Sequence, residues 1–330
     1  DIDVIFDNYS AFLPDFLERV LERQAREPAP IEPKGPFPIA AQKALGERVM
    51  KTIGFDFKYG RLDTSLHPIC GGVPDDVRST TLDTEDHVAT ALMGIIHETG
   101  HAMYERGLPV DWRLQPVGYA RGMALHESQS LLVEMQASRG ADFCAYLSPI
   151  LNEVFPGNAA AFAPDNLRRL YSRVSRGFIR VDADEVTYPA HVILRYRLEQ
   201  ALIADELKVA DIPAAWNEGM KALLGIVPPS DREGCLQDIH WFDGGVGYFP
   251  CYSLGAMTAA QLYEAACKAD PEIPTAIARG DFAPLMGWLR PNVHERGSSM
   301  TTAAIVTAAT GRPLDVEVFK KHLKRRYLPN

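Results

Sequence analysis

The sequence predicts a mainly α-helical protein with one small β-sheet set directly before its most chemically loaded helix. Three observations lead there. Apolar residues recur at helical spacing over about 13–26, 39–53, 84–107, 119–139, 166–178, 185–208, 213–224, 253–268, 274–280, 301–309 and 315–326. Strand-like signals are confined to two short runs separated by Pro and Gly turns: Phe55-Asp56-Phe57-Lys58-Tyr59, which alternates, and Val77-Arg78-Ser79-Thr80-Thr81, which is β-prone. No internal repeat or low-complexity tract is present. With 46% hydrophobic content the 330 residues can bury a large core, as a single domain over 1–330 or as two closely packed lobes.

Taken in order, Leu13 to Arg26 is already an amphipathic helix, and the first residue is Asp1 rather than Met, so the chain reads as a fragment or a processed form. Pro-rich Glu27 to Pro38 is a linker to the second helix. The third helix is predicted to start at Thr84, an N-cap followed by acidic Glu85 and Asp86. It continues through Val88, Leu92, Ile95, Ile96 and Met103 and stops at Gly107 with Pro109 just beyond.

That helix carries His97-Glu98-Thr99-Gly100-His101. Residues four apart lie slightly more than one turn apart, so both imidazoles project from one face and can share one metal ion. Glu98 sits about 100° further round, close enough to reach a water on the metal without being a ligand. A chance H-E-x-x-H occurs on the order of once in a hundred sequences of this size, so the helical context is what gives the match weight.

A catalytic zinc takes three protein ligands and leaves one position to water. Past the loop from Leu108 to Gly118, a further helix bears His126-Glu127-Ser128-Gln129-Ser130, and Glu127 lies 26 residues beyond His101. An antiparallel neighbouring helix at that spacing can present a carboxylate to the same ion. His126 is the rival ligand. It points about 100° away from Glu127, so one helix can hardly offer both; Glu127 is favoured, with His126 touching a ligand or the substrate.

Downstream, Ile179-Arg180-Val181-Asp182-Ala183-Asp184-Glu185 precedes a helix start. Asp184 reads as an N-cap on the Val186 or Thr187 amide. Arg180 reads either as a surface ion pair or as a fork for a peptide's terminal carboxylate. Gly234-Cys235-Leu236-Gln237-Asp238-Ile239-His240-Trp241 is followed by the glycine-rich run 244–252, which lacks a phosphate-loop Lys-Ser/Thr and reads as a mobile loop. Such a loop can carry His240, Tyr248 or Tyr252 to an oxyanion, although each aromatic is also at home in core packing.

Composition narrows the function classes. A net charge of −9 disfavours nucleic acid as a partner, and the basic tail Lys320-Lys321-His322-Leu323-Lys324-Arg325-Arg326 reads as the solvated last turn of a helix. No run of eighteen apolar residues would span a membrane, and no basic-then-apolar leader opens the sequence. Cys70, Cys144, Cys235, Cys251 and Cys267 are odd in number without a C-x-x-C pair, against both a disulfide framework and a cysteine zinc site. A cytoplasmic protein with reduced, mostly buried thiols is the expectation.

H-E-T-G-H, H-E-S-Q-S, I-R-V-D-A-D and the C-L-Q-D-I-H-W run, preceded by His67-Pro68-Ile69 and Asp76-Val77-Arg78-Ser79-Thr80, resemble in order and spacing the thermostable (Taq-type) zinc carboxypeptidases. The likeness runs from about Gly35-Pro36-Phe37-Pro38 to Trp288-Leu289-Arg290 and Ala309-Thr310-Gly311. It implies a neurolysin-like helical fold with a deep groove, homodimers, and removal of single C-terminal residues from peptides with broad specificity. It further implies zinc on His97, His101 and Glu127, with cobalt or another divalent ion as a possible substitute. Glu98 would be the general base, Arg180 the holder of the substrate carboxylate, and His240 and Tyr252 the groups facing the scissile carbonyl, with Tyr248 the alternative tyrosine.

Arg78 belongs to a family motif that would contact substrate; as an edge strand, Val77 to Thr80 would pair with the substrate backbone. Two departures stand out. The family usually carries a substantial N-terminal helical region before the point where this chain begins, which leaves substrate length open. Ile69 stands where the family generally has Phe, with a packing consequence expected. Two other readings accompany the carboxypeptidase: a zinc oligopeptidase cutting internal bonds, which has no need for Arg180 as a carboxylate receptor, and a zinc-bound inactive peptide-binding protein.

Overall fold

The computed structural model describes residues 2–65, 68–82 and 84–329, so His67 and Asp83 lie outside the described residues. It is mainly helical. In chain order come α1 (Ile2–Gln24), α2 (Ile39–Ile53), β1 (Gly60–Thr64), β2 (Cys70–Val73), β3 (Asp76–Thr81), α3 (Val88–Gly107) and α4 (Gly122–Leu131), which runs directly into a π-helical stretch, Leu132–Ser138. There follow α5 (Ala141–Val154), α6 (Pro164–Tyr171), α7 (Tyr188–Ile203), α8 (Ile212–Leu224), α9 (Pro250–Ala269), α10 (Ile273–Ala278), α11 (Ala283–Asn292), α12 (Thr302–Thr310) and α13 (Val316–Tyr327).

The chain divides into two compact units: residues 1–29, 172–254 and 316–330 form one, residues 30–171 and 255–315 the other. In the first, Phe6, Tyr9, Leu13, Phe16, Leu17 and Val20 of α1 are buried at helical spacing, so the amphipathic pattern starts well before Leu13. Trp216 and Met220 of α8 and Phe319 and Leu323 of α13 are buried in the same unit. Buried Glu185 binds α13 through His322 Nε2 at 2.8 Å, Arg326 Nη1 at 2.9 Å and the Tyr327 hydroxyl at 3.0 Å.

The second unit is built round α3. Its core joins Leu45, Val49 and Ile53 of α2, Leu92, Ile95 and Ile96 of α3, and Phe143, Leu147 and Leu151 of α5. The sheet runs β1-β3-β2, with β1 parallel and β2 antiparallel to β3. Val77, Ser79 and Thr81 of β3 are buried, while Asp76 and Arg78 face solvent, and β3 packs along α3.

Several sequence expectations change here. The first strand is 60–64 rather than 55–59, because the Asp56 side chain accepts the Lys58 amide at 2.9 Å and closes Phe57–Tyr59 into a 3₁₀ turn. β3 is the central strand, so its backbone groups pair with β1 and β2 and Val77 to Thr80 is not an edge open to a peptide. α3 starts at Val88, not Thr84. The Thr84 carbonyl accepts from Gln42 Nε2 at 2.8 Å and the Glu85 carbonyl from the Phe37 amide at 2.8 Å, so both are held outside the helix. α5 and α11 escape the periodicity reading; each has a proline inside it, Pro149 and Pro291. Ile69 is exposed and bonds through its backbone to Thr80, so its departure from Phe leaves no packing trace.

Candidate active site

His97 and His101 stand one turn apart on the buried face of α3, and α4 runs antiparallel beside it. Gly100 sets the approach: a Cβ there would lie 2.6 Å from the Gln129 carbonyl and the Ser130 Cα. A second glycine, Gly255, lets α9 lie against Glu127, whose Cβ and backbone would clash with any side chain at that position. Held so closely, Glu127 Oε2 comes within 3.6 Å of His97 Nε2 and 3.7 Å of His101 Nε2.

Ligand atoms of all three residues lie within 4.8 Å of one another. Two atoms bound to zinc at about 2.0–2.1 Å in a tetrahedron stand about 3.3–3.4 Å apart. The side chains therefore frame a gap the size of one small divalent ion, and the donor set of two imidazoles and a carboxylate suits it. Ser130 Oγ steadies the carboxylate by donating to Glu127 Oε2 at 3.2 Å.

Both imidazoles turn Nε2 inward because Nδ1 is engaged behind them. His97 Nδ1 is 2.9 Å from Glu134 Oε2, on the π-helical stretch. His101 Nδ1 is 2.6 Å from His126 Nδ1, and His126 Nε2 is 2.9 Å from Glu105 Oε1. If His101 ligates through Nε2 its proton sits on Nδ1, so His126 Nδ1 must accept and its Nε2–H must donate to Glu105. His126, the rival ligand of the sequence reading, thus supports His101 instead.

Charge follows the same layout. Burial works against protonation of His97, but the hydrogen bond and charge of Glu134, helped by Glu127 and Glu98, raise its pKa to about 9. Burial drives His101 well below the ordinary imidazole value, reinforced by His97 and His126. Glu98 is buried. Burial pushes its carboxyl up to about 7, with Glu127 and Glu134 reinforcing and His97 opposing.

A second constellation lies in the other unit. Arg180, on the 3₁₀ turn Arg180–Asp182, is buried. Its Nε and Nη2 donate to Asp238 Oδ1 at 2.9 and 2.7 Å, and Nη1 donates to the Tyr188 hydroxyl at 2.8 Å. Among the described residues these contacts use three of the five N–H groups, one on each terminal nitrogen remaining for a further acceptor. Asp238 Oδ2 meanwhile takes Nε of fully buried Arg195 at 2.5 Å. Burial opposes ionisation of Asp238, yet the two guanidinium groups hold its carboxyl below the usual carboxylate range.

His240 Nε2 is 3.0 Å from the Tyr252 hydroxyl, and the Arg180 guanidinium lies 4.9 Å from the Tyr252 ring centre. Burial, then the charge of Arg180, lowers the His240 pKa, favouring a neutral ring. Tyr248 touches His240 and Tyr252 by ring contacts, at 5.7 and 5.4 Å between centres. The loop is closed by the Gly245 amide on the His240 carbonyl at 2.7 Å, and Trp241 Nε1 donates to buried Glu199 at 2.8 Å. Asp184 caps as expected, accepting the Val186 and Thr187 amides at 3.0 Å. Arg78 joins neither set: its fork is held by Asp76, two residues earlier on an exposed strand face, at 2.7 and 2.8 Å.

The family model described as Carboxypeptidase Taq (M32) metallopeptidase matches residues 1–327. The chain belongs to this family. Over 88% of its length the M32 chain is 39% identical to carboxypeptidase 1 of Bacillus subtilis (strain 168), and over 98% it is 35% identical to thermostable carboxypeptidase 1 of Thermus thermophilus. It spans 58% and 63% of those two relatives' own lengths. Among solved structures, Trypanosoma cruzi metallocarboxypeptidase 1 superposes with a TM-score of 0.96 at 44% identity, covering 99% of this chain and 68% of that one. A Pyrococcus furiosus carboxypeptidase gives 0.95 at 32% identity, with 99% and 66% covered.

Membership in a metallopeptidase family implies a divalent metal, and the His97, His101 and Glu127 set can hold one. Sequence reasoning on the M32 chain missed Glu134, Arg139, Glu105 and Arg195. A faint signal existed for Glu134, seven residues and thus two helical turns past Glu127. Asp238 was visible in its motif, but its sharing between two arginines required the fold.

Proposed function

We propose that this chain is a zinc-dependent metallocarboxypeptidase that releases single C-terminal residues from peptides. The observation that carries the reading is the convergence of His97 Nε2, His101 Nε2 and one Glu127 oxygen, with buried Glu98 beside them. Bound there, a zinc or cobalt ion supplies Lewis acidity toward water and the scissile carbonyl.

The remaining steps belong to the chain's own groups. Glu98 has a proton affinity raised by burial; it takes the proton of the attacking water and returns it to the leaving amine. Arg180 offers its two unused N–H groups to the terminal carboxylate, a bidentate, charge-assisted contact. His240 or Tyr252, whose mutual hydrogen bond uses one of their two protons, donates toward the carbonyl oxygen as it gains charge, and Tyr248 lines the substrate. Arg180 favours the exopeptidase over an oligopeptidase, which needs no receptor for a free carboxylate; chelator-sensitive hydrolysis of a blocked dipeptide separates both enzymes from an inactive peptide-binding protein. Arg78, paired with Asp76, serves substrate binding only after exchanging that partner.

The test uses an N-blocked dipeptide with a free carboxylate and its C-terminal amide. Metal-loaded protein should release the last amino acid from the first only, stop on chelation and recover on adding zinc. Equal cleavage of the amide, or activity unaffected by the chelator, would contradict the proposal. The family likeness also supports a single metallocarboxypeptidase domain over 1–330 and a homodimer, the latter to be checked by light scattering. The odd number of cysteines, without a C-x-x-C pair, supports a reducing, cytoplasmic setting.

A further inference from the structure

We infer that Glu134, held by Arg139 on a π-helical turn, is a positioning residue for the metal: it fixes His97 with Nε2 facing inward and thereby sets how tightly the ion is bound. The inference rests on the metal centre proposed above, but on neither the clamp nor the reaction.

Glu134 is buried and both of its oxygens are committed. Oε2 meets His97 Nδ1 at 2.9 Å; Oε1 receives Arg139 Nη2 at 2.6 Å and Nε at 3.2 Å. Arg139 is itself anchored by Nη1 on the Tyr171 carbonyl at 3.1 Å. A charged acceptor behind a ligating imidazole fixes the tautomer, orients the ring and raises the basicity of the nitrogen facing the ion.

The backbone explains how the pair forms. Contacts between Glu105 and His126, Gly100 and Ser130, and His97 and Glu134 run in opposite sense along the two helices, so residues past Glu127 fall on the His97 side of the site. On an α-helix, residues five apart lie about 140° round the axis, and Arg139 would turn away from Glu134. The π turn links residues five apart directly. Its bond from the Arg139 amide to the Glu134 carbonyl, 3.1 Å, returns the guanidinium to the carboxylate. A π turn costs regular helix hydrogen bonding and recurs at functional sites; here it brings the Arg139 fork onto the oxygen of Glu134 that His97 does not use.

The two ligating imidazoles are therefore supported unequally. His97 leans on an ion pair, whereas His101 leans on the ring of His126 and, through it, on Glu105. The His97 side is expected to dominate metal affinity.

The experiment measures zinc dissociation constants by competition with a chromophoric chelator, on wild-type protein, Glu134→Gln and Arg139→Met, with the visible spectrum of the cobalt-loaded forms alongside. Glu134→Gln keeps the shape and loses the charge. It should weaken zinc roughly 10- to 100-fold and shift the cobalt bands, while Arg139→Met should weaken zinc in the same direction by less. A purely structural role would lower the melting temperature of the metal-free protein and leave the dissociation constant within twofold of wild type; that result overturns the inference, as would Arg139→Met binding zinc more tightly. If Glu134→Gln fails to fold, Arg139→Met alone decides. A wild-type protein that takes up no zinc overturns the metal centre and this inference together, whereas zinc uptake without peptide hydrolysis overturns only the proposed reaction.

Discussion

Replacing Glu98 by Gln separates the chemistry at this site from the fold around it. Glu98 is 7% exposed, and the amide of glutamine fits the same space. Its neighbours Glu127 and Glu134 are also acidic, so the substitution removes a buried charge that has like charges close by. Two outcomes follow, in opposite directions. Without a general base, turnover should fall about 10²- to 10⁴-fold, which corresponds to about 2.7–5.4 kcal/mol on the barrier. The metal-free variant should melt at or above the wild-type temperature, and zinc content should remain near one per chain. The assay pairs hydrolysis of an N-blocked dipeptide with metal analysis on the same preparation. A fully zinc-loaded Glu98→Gln protein with turnover within tenfold of wild type would refute the base assignment.

Further outcomes are expected elsewhere. Gly100→Ala should disturb the packing of α4 on α3, because the new methyl meets backbone at 2.6 Å; loss of stoichiometric zinc in a protein that retains its helical circular dichroism is the expected reading. Asp238→Asn leaves Arg180 and Arg195 without their shared carboxylate. Urea unfolding should show a loss of about 3–5 kcal/mol, and residual activity should show a raised KM for free-carboxylate peptides. Glu185 has a folded pKa held far below its ordinary range: burial opposes this, but Arg326 and His322 prevail. Its stabilising contribution is complete above the unfolded value of about 4.3 and is lost as pH falls toward the depressed folded value. Melting temperature measured down an acid series should therefore fall less steeply in Glu185→Gln than in wild type.

What could be read from the sequence was what depends on spacing within one element. Residues four apart on a helix share a face wherever that helix packs, so His97 and His101 were legible as a pair, and Glu98 beside them. Glu127 was legible because a carboxylate 26 residues past His101, on the next helix, can be returned to the same ion by an antiparallel neighbour. What could not be read depended on tertiary partners. Residues 84–87 carry good helix-start chemistry, yet Gln42 and Phe37 take the Thr84 and Glu85 carbonyls and delay the helix to Val88. The β-prone run Val77 to Thr81 marks a strand, but nothing local says that β1 and β2 flank it on both sides. Glu134 and Arg139 are five residues apart, a spacing that reads as opposite faces until the π turn is known.

The central claim is that two imidazoles and one carboxylate, from neighbouring antiparallel helices, hold a single divalent ion. X-ray data collected above and below the zinc absorption edge from crystals of the zinc-loaded protein test it most directly. One anomalous peak is expected, about 2.0–2.2 Å from His97 Nε2, His101 Nε2 and a Glu127 oxygen. A peak bound by His126 or Glu134 in place of Glu127, or no peak between α3 and α4, would contradict the account.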